Sequence, residues 1–413
     1  MKTLRREGWL LLVPAILLTV WVTHLLSGGR AASAKPNTRP QPSRLAQTAE
    51  TSGRAPTVSP EPLRAILCSP DKINAPDLGR WSTEGVNSVV LIATPETTQD
   101  LRAAIRQIRG ARLQLYYWIE VARSPTLAAA HPEWMASLQG HPEWRRHFPK
   151  FVEPKKDEVV RNYPWVPIVY QEAFDAHLQR ISKLLNSLPE AHGIFLNDLQ
   201  SAPSACGCGN PLCRWTPGYG LIQTAQRLPP DAAARFASAV AALAPKSRII
   251  PVWTTECEEM DKEVFCAGVG CFAGLCWKEY TAQLMPVASR FNALGVLLLY
   301  RSFGRDLPRY GSSGGWVKHA LNSFVEMPPK CQGTAVAIKN LVPILQGWDV
   351  TLGEQQAQIR QSQQAGTGSY VMAVSKIDQG WEPRIVKIQE SSLPPKGWDL
   401  VEPSPGRWER LKN

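Results

Sequence analysis

The sequence contains no run of lysine or arginine longer than two residues, although its formal net charge is +11. Nucleic-acid surfaces need basic groups clustered on one face or along one element, so no nucleic-acid partner is expected. No Gly-x-Gly-x-x-Gly follows the first expected strand, and no Gly-x-x-x-x-Gly-Lys occurs. Dinucleotide and P-loop phosphate chemistry are thereby disfavoured. His-Glu-x-x-His is absent and the seven histidines are scattered, so no cofactor is expected. No Asn-x-Ser/Thr glycosylation acceptor is present either. Charged residues are only 20% of the chain and hydrophobic residues 44%, with 35 Pro and 29 Gly. Such a composition excludes a coiled coil, a collagen and a wholly disordered chain. At 413 residues the chain exceeds one average domain, yet a single large α/β barrel with extra segments would accommodate most of it.

The amino terminus reads as an export signal. Lys2, Arg5 and Arg6 precede an apolar run from Trp9 to Leu26, and Ala32-Ser33-Ala34 has the small-residue pattern of a signal-peptidase site. Residues 1–34 are therefore a signal peptide or a signal anchor, with Pro14, Thr19, Thr23 and His24 weakening the run as a permanent span. Either way the basic flank places the rest of the chain outside the cytoplasm, secreted or periplasmic, and a membrane is a partner only if the segment is retained. Beyond residue 34, 42 basic residues face 34 acidic ones, a net +8. Residues 35–65 hold six Pro among Ser, Thr, Gln and Ala, and read as a disordered linker.

From residue 66 to about 390, short aliphatic runs alternate with helical periodicity, leaving 391–413 as a tail. Expected strands are 88–93, 113–119, 194–198, 248–253, 271–276, 296–300, 341–345 and 369–374. Eight strands alternating with helices predict a (β/α)8 TIM-type barrel with a long insertion between strands two and three; an open doubly wound sheet is the structural alternative. Residues 165–170 are a ninth candidate, demoted by Pro167. Helical stripes run through Leu101, Ile105 and Ile108, and through Phe174, His177, Leu178, Ile181 and Leu185; Pro229-Pro230-Asp231 opens a third helix. Within the insertion, His131-Pro132-Glu133-Trp134 recurs as His141-Pro142-Glu143-Trp144, read either as two helix starts or as a cleft wall. Gly311-Ser312-Ser313-Gly314-Gly315 fits Gly-x-Ser-x-Gly but follows no strand, so it is a turn before a helix and not a nucleophile elbow.

In a parallel barrel the residues just past each strand converge on one face. Those residues are Glu120; Asn197 and Asp198; Glu256, Glu258 and Asp261; Lys278 and Glu279; Tyr300 and Arg301; Gln346 and Asp349; and Lys376 and Asp378, with Trp118, Trp253 and Trp348 close by. Carboxylates and tryptophan are the residue types that glycosidic cleavage requires, one carboxyl as acid, one as nucleophile or base, and flat rings for sugars. Tryptophan outnumbers the other aromatics, 15 against 10 Phe and 9 Tyr. We read Asp198 and Glu256 as the carboxyl pair and Glu120 as a supporting acid. Trp118, Asn197, Trp253, Lys278, Tyr300, Arg301, Gln346 and Trp348 are read as substrate-binding.

Glu120 after Tyr116-Tyr117-Trp118-Ile119, the His-Pro-Glu-Trp loop and His192-Gly193-Ile194-Phe195-Leu196-Asn197-Asp198 together resemble barrel-type glycoside-hydrolase-like families. The likeness continues in residues 341–347 and 368–373. It implies an exported barrel acting on a polysaccharide or cell-surface glycan, with Asp198 delivered to the cleft. Against the family run Asp-Gly-Ile-His-x-Asp-Asp, His192 stands for the leading Asp, Phe195 for the His and Asn197 for the first paired acid. These departures motivate a competing reading, a non-catalytic barrel that binds glycan or protein. Nine cysteines in an exported chain suggest disulfides, eight paired and one left over, while Cys206, Cys208 and Cys213 alternatively suit a structural zinc site.

Overall fold

A computed structural model of the chain describes residues 61–94, 98–136, 148–155, 158–168, 171–199, 231–254, 277–298, 315–330, 333–377, 382–387, 400–404 and 407–410. Eight strands close into a wholly parallel barrel: β1 (Arg64–Cys68), β2 (Ser88–Ile92), β3 (Gln114–Glu120), β5 (Gly193–Asn197), β6 (Arg248–Thr254), β7 (Leu294–Leu298), β8 (Leu341–Gln346) and β9 (Tyr370–Ala373). Closure is completed by β1 pairing with both β2 and β9. The open-sheet alternative is thus set aside, because a closed barrel has no edge.

Seven of the eight expected strands are in place. The stretch 271–276 lies outside the described residues, and β6 pairs directly with β7, so it takes no place between them. The eighth position belongs to β1, which begins at Arg64, inside the expected linker, with Leu63 already buried. Its Arg-Ala-Ile-Leu-Cys follows a Pro-rich stretch and is too short to show periodicity. The described residues of the ninth candidate, 165–168, supply no barrel strand; Trp165 makes an isolated bridge to Arg123.

The helices are α1 (Ala75–Thr83), α2 (Thr98–Gly110), α3 (Pro125–Ala130), α4 (Gln171–Ser187), α5 (Ala232–Leu243), α6 (Trp277–Arg290), α7 (Gly315–Lys330) and α8 (Leu352–Gln364). The stripes expected from sequence face inward: Leu101, Ile105 and Ile108 on α2, and Phe174, His177 and Ile181 on α4, are buried. Local chemistry sets several starts, as where Thr351 and Glu354 form a reciprocal capping box on α8. The helix expected after the glycine-rich stretch begins at Gly315, and residues 311–314 lie outside the described residues.

Alternation along each strand produces two concentric cores. Leu67, Val90, Tyr116, Trp118, Phe195, Ile250, Val252, Leu297, Ile344 and Val371 fill the lumen. Their neighbours Leu91, Tyr117, Ile119, Leu196, Trp253 and Val296 pack outward against the helices. Tyr116 and Phe195 approach at 6.0 Å between ring centroids, as do Trp118 and Phe195. The register opposes Tyr116 to Gly193, where a Cβ would fall 2.5 Å from Tyr116 Cε1. Glycine at that position makes room for the tyrosine ring.

The long insertion follows β3 as expected, with α3, β4 (Glu158–Tyr163) and α4 before β5. It is knitted together by backbone bonds: Val166 N–H donates to Ala122 O, Ser124 N–H to Pro164 O, and Ala136 N–H to Trp165 O. The first His-Pro-Glu-Trp copy is a 3-10 turn with proline at its start, and His131 stacks on Trp134 at 3.7 Å. Its helix-start reading fits, while residues 141–144 lie outside the described residues. Beyond the barrel, β10 (Glu382–Lys387) pairs antiparallel with β4, and β11 (Leu400–Ser404) with β12 (Arg407–Arg410). Among the described residues no helix is long and apolar enough to cross a membrane.

Candidate active site at the carboxyl end of the barrel

Glu120 closes β3 and, by the alternation that turns Tyr116 and Trp118 into the lumen, points inward at its carboxyl-terminal mouth. Its register partner on β5 is Asn197. Both carboxylate oxygens are engaged: Trp118 Nε1 donates to Oε1 at 2.6 Å, and Asn197 Nδ2 donates to Oε2 at 2.8 Å. The carboxylate is partly exposed, whereas Trp118 is fully buried and Asn197 is 5% exposed. Each oxygen still has lone-pair capacity, so the group can accept further bonds from outside the barrel wall. Asn197 Oδ1 is buried without a hydrogen-bond partner among the described residues.

A brace behind β3 fixes this end of the strand. Arg180 on α4 donates through Nη2 to the carbonyls of Glu120 at 2.8 Å and Val121 at 3.0 Å, and lies 3.4 Å from His177 Nδ1. His177 Nε2 sits 2.8 Å from Val166 O, in the insertion. Nε2 therefore carries the proton and donates, while Nδ1 faces the guanidinium. Burial, and then the Arg180 charge, hold the His177 pKa down to about 3, against the pull of the Val166 carbonyl. A neutral histidine thus ties α4, β3 and the insertion into one unit.

Asp198, the expected principal acid, lies just past β5 with a left-handed backbone, φ +61°, and is only 1% exposed. Non-glycine residues at positive φ are uncommon, and Asp and Asn are the ones that tolerate it. Glu256, Tyr300 and Arg301 lie outside the described residues. Lys278 is the second residue of α6 and not the end of a strand.

Several expected ligand contacts have other work. Trp253 points outward into the layer between barrel and helices and is fully buried, so it packs the fold. Trp118 is equally buried; it holds Glu120 and offers no face to a sugar. Gln346 is 2% exposed and bound to α8: its N–H donates to Gln358 Oε1, its carbonyl accepts from Gln358 Nε2, and its Nε2 donates to Trp348 O. Trp348 packs on the lumen core at 9% exposure. His192 sits at the opposite mouth, where its Nδ1 accepts from Leu115 N–H. Sequence reading gave Glu120 a supporting part, placed His177 only in a helical stripe and did not single out Arg180, since both act from a helix face that periodicity alone reads as core. Among the described residues no His, Cys, Asp or Glu cluster could hold a metal, and Cys206, Cys208 and Cys213 lie outside them.

No family model matches the chain, and no curated protein does either. Solved structures of low identity are similar to it. α-L-Fucosidase isoenzyme 2 from Paenibacillus thiaminolyticus shares 11% identity at a TM-score of 0.40, over 76% of this chain and 46% of the fucosidase. This chain therefore spans less than half the length of that protein. An endo-1,4-β-D-mannanase from Thermotoga petrophila RKU-1 also shares 11% identity at 0.40, over 77% of this chain and 90% of the enzyme. The carboxyl transferase domain of Rhizobium etli pyruvate carboxylase matches at 9% identity and 0.34, over 75% of this chain and 40% of that chain.

Proposed function

We propose that this chain is an extracytoplasmic (β/α)8 barrel acting on a polysaccharide or cell-surface glycan. The observation that carries the reading is Glu120, held at the barrel mouth by N–H donors on both oxygens. A carboxylate fixed this way is preorganised to receive sugar hydroxyls or to meet a developing positive centre. Glycosidic cleavage needs a second carboxyl, and Asp198 and Glu256 are the candidates on neighbouring strand ends. Separations of about 5 to 5.5 Å imply retention of configuration and about 6.5 to 9.5 Å inversion. Export, with the eight cysteines from Cys206 to Cys331 paired in disulfides, completes the proposal and rests on the amino-terminal pattern.

The test is release of reducing ends from a panel of polysaccharides by the purified protein, with binding measured in parallel. Release that disappears in Glu120→Gln supports the enzyme. A second reading, glycan binding without cleavage, is favoured by the burial of Asp198 at 1% exposure. Binding with no release would establish it, and neither binding nor release would remove glycans from consideration.

A further inference from the structure

We propose that the amino-terminal face of the barrel, opposite the candidate site, is a docking surface for an anionic lipid bilayer. In a parallel barrel every helix-to-strand loop lies on this face. The loops and strand starts there carry six exposed basic residues, Arg64, Arg109, Arg112, Lys246, Arg290 and Lys339, with Arg248 half-buried among them. Three exposed acids share the face, and each is already matched: Glu61 with Arg64 at 3.7 Å, Glu190 with Lys246 at 3.3 Å, and Glu84 with Arg80 at 3.5 Å. Arg112, Arg290 and Lys339 form no ion pair among the described residues. Among the described residues just past the strand ends at the other mouth, Asp71, Glu120, Asp198 and Asp349 stand against Lys72, Arg123 and Lys376, close to balance. Among the described loop and strand-end residues, the larger basic excess is on the amino-terminal face.

Helix dipoles account for part of this, since Arg109 and Arg290 occupy the last turns of α2 and α6. They do not account for Arg64, Arg112, Lys246 or Lys339, which lie outside the α-helices. The kind of partner follows from two features. A pocket on this face, of about 310 Å³ between the loops at 188–191 and 243–247, holds only Lys246 of the six basic residues. Single charges spread over separate loops suit a planar array of anionic headgroups better than a single phosphate. The chain also enters β1 from this same face, and upstream of it lies the apolar run Trp9 to Leu26. This rests on the reading of that run as a segment that enters a membrane. The consequence is an orientation: the face carrying Glu120 is turned away from the lipid, toward whatever polymer lies beyond it.

The experiment uses the full chain on vesicles of phosphatidylcholine alone or mixed with phosphatidylglycerol, read by hydrogen exchange. Peptides covering 61–64, 109–113 and 244–248 are expected to gain protection on the mixed vesicles only, and to lose it in high salt. The triple variant Arg112→Glu, Arg290→Glu and Lys339→Glu should weaken the lipid-composition-dependent binding by at least about 100-fold, roughly fivefold per lost charge. Lys72→Glu with Lys376→Glu, on the other mouth, should leave it unchanged. Equal protection on both vesicle types, protection confined to peptides of the carboxyl-terminal mouth, or protection by soluble dextran sulfate but not by vesicles would each overturn the proposal. Salt dependence in the unmodified chain decides the matter if the triple variant does not fold. None of these readouts involves cleavage of a glycan, so failure here and failure of the glycan reading are separable.

Discussion

At the scale of single residues, Glu120 is isolated from its neighbours by an informative substitution. Gln at this position would present an amide NH2 to one of two N–H donors, Trp118 Nε1 or Asn197 Nδ2. Asn197 can rotate its amide and offer Oδ1, which has no other partner among the described residues, so the hydrogen bond survives while the charge is lost. Glu120→Gln is therefore expected to shift stability by less than about 1 kcal/mol, yet to lower any glycan-cleaving rate by at least about 100-fold. Asp198→Asn in the same assay discriminates between the acids. A comparable fall makes Asp198 part of the chemistry, and an unchanged rate assigns it to the backbone turn alone. His177 belongs to this scale too. The folded state holds it neutral to about pH 3, whereas the unfolded chain takes up its proton near pH 6.5. Its contribution is thus complete above about pH 6.5 and is lost as pH falls toward 3, by up to about 1.4 kcal/mol per pH unit. Urea unfolding at stepped pH should show that slope, shallower in His177→Gln; identical slopes would mean that His177 does not titrate in this way.

At the scale of elements, strand pairing and helix position do what isolated residues cannot. The β3–β5 register sets Glu120 beside Asn197 and, two steps earlier in each strand, Trp118 beside Phe195. The same register makes Gly193→Ala costly. Its Cβ would meet the Tyr116 ring at 2.5 Å and the Arg248 carbonyl at 2.7 Å, and backbone cannot move as a side-chain tip can. Overpacking of this kind costs about 1 to 3 kcal/mol, and thermal unfolding should report a correspondingly lower Tm. An unchanged Tm would show that the β3–β5 seam is looser than its register implies. Much of this level was legible beforehand: seven barrel strands and the α2 and α4 stripes follow from periodicity, which is a local property. The first strand was not, because Arg64–Cys68 abuts a Pro-rich stretch and carries only five residues of signal.

At the scale of the whole molecule, the cysteines offer a test of the export reading. Cys68 is buried in the outer core without a disulfide, and burial, reinforced by Asp71 and Asp77, pushes its thiol up to about 12. If the other eight cysteines are paired, thiol titration should find none reactive in the native protein and one, at Cys68, after unfolding without reductant. Three or more thiols together with stoichiometric zinc would instead support a metal site at Cys206, Cys208 and Cys213.

Composition and local pattern sufficed for the class of fold, the long insertion and the set of polar residues at strand ends, since alternation and strand spacing are written within a few residues of each position. Which of those polar residues faces the cleft was decided only by the closed barrel. Trp118 and Trp253 are alike in sequence context, each near the end of an aliphatic strand. Odd or even placement relative to the barrel axis sends one into the lumen beneath Glu120 and the other out against the helices. The same is true of Asp198 and Glu120, one turned down into a buried left-handed bend and one held open by two N–H donors. Inward or outward orientation depends on strand register and barrel closure, which are properties of residues far apart in the chain, and no local window contains them.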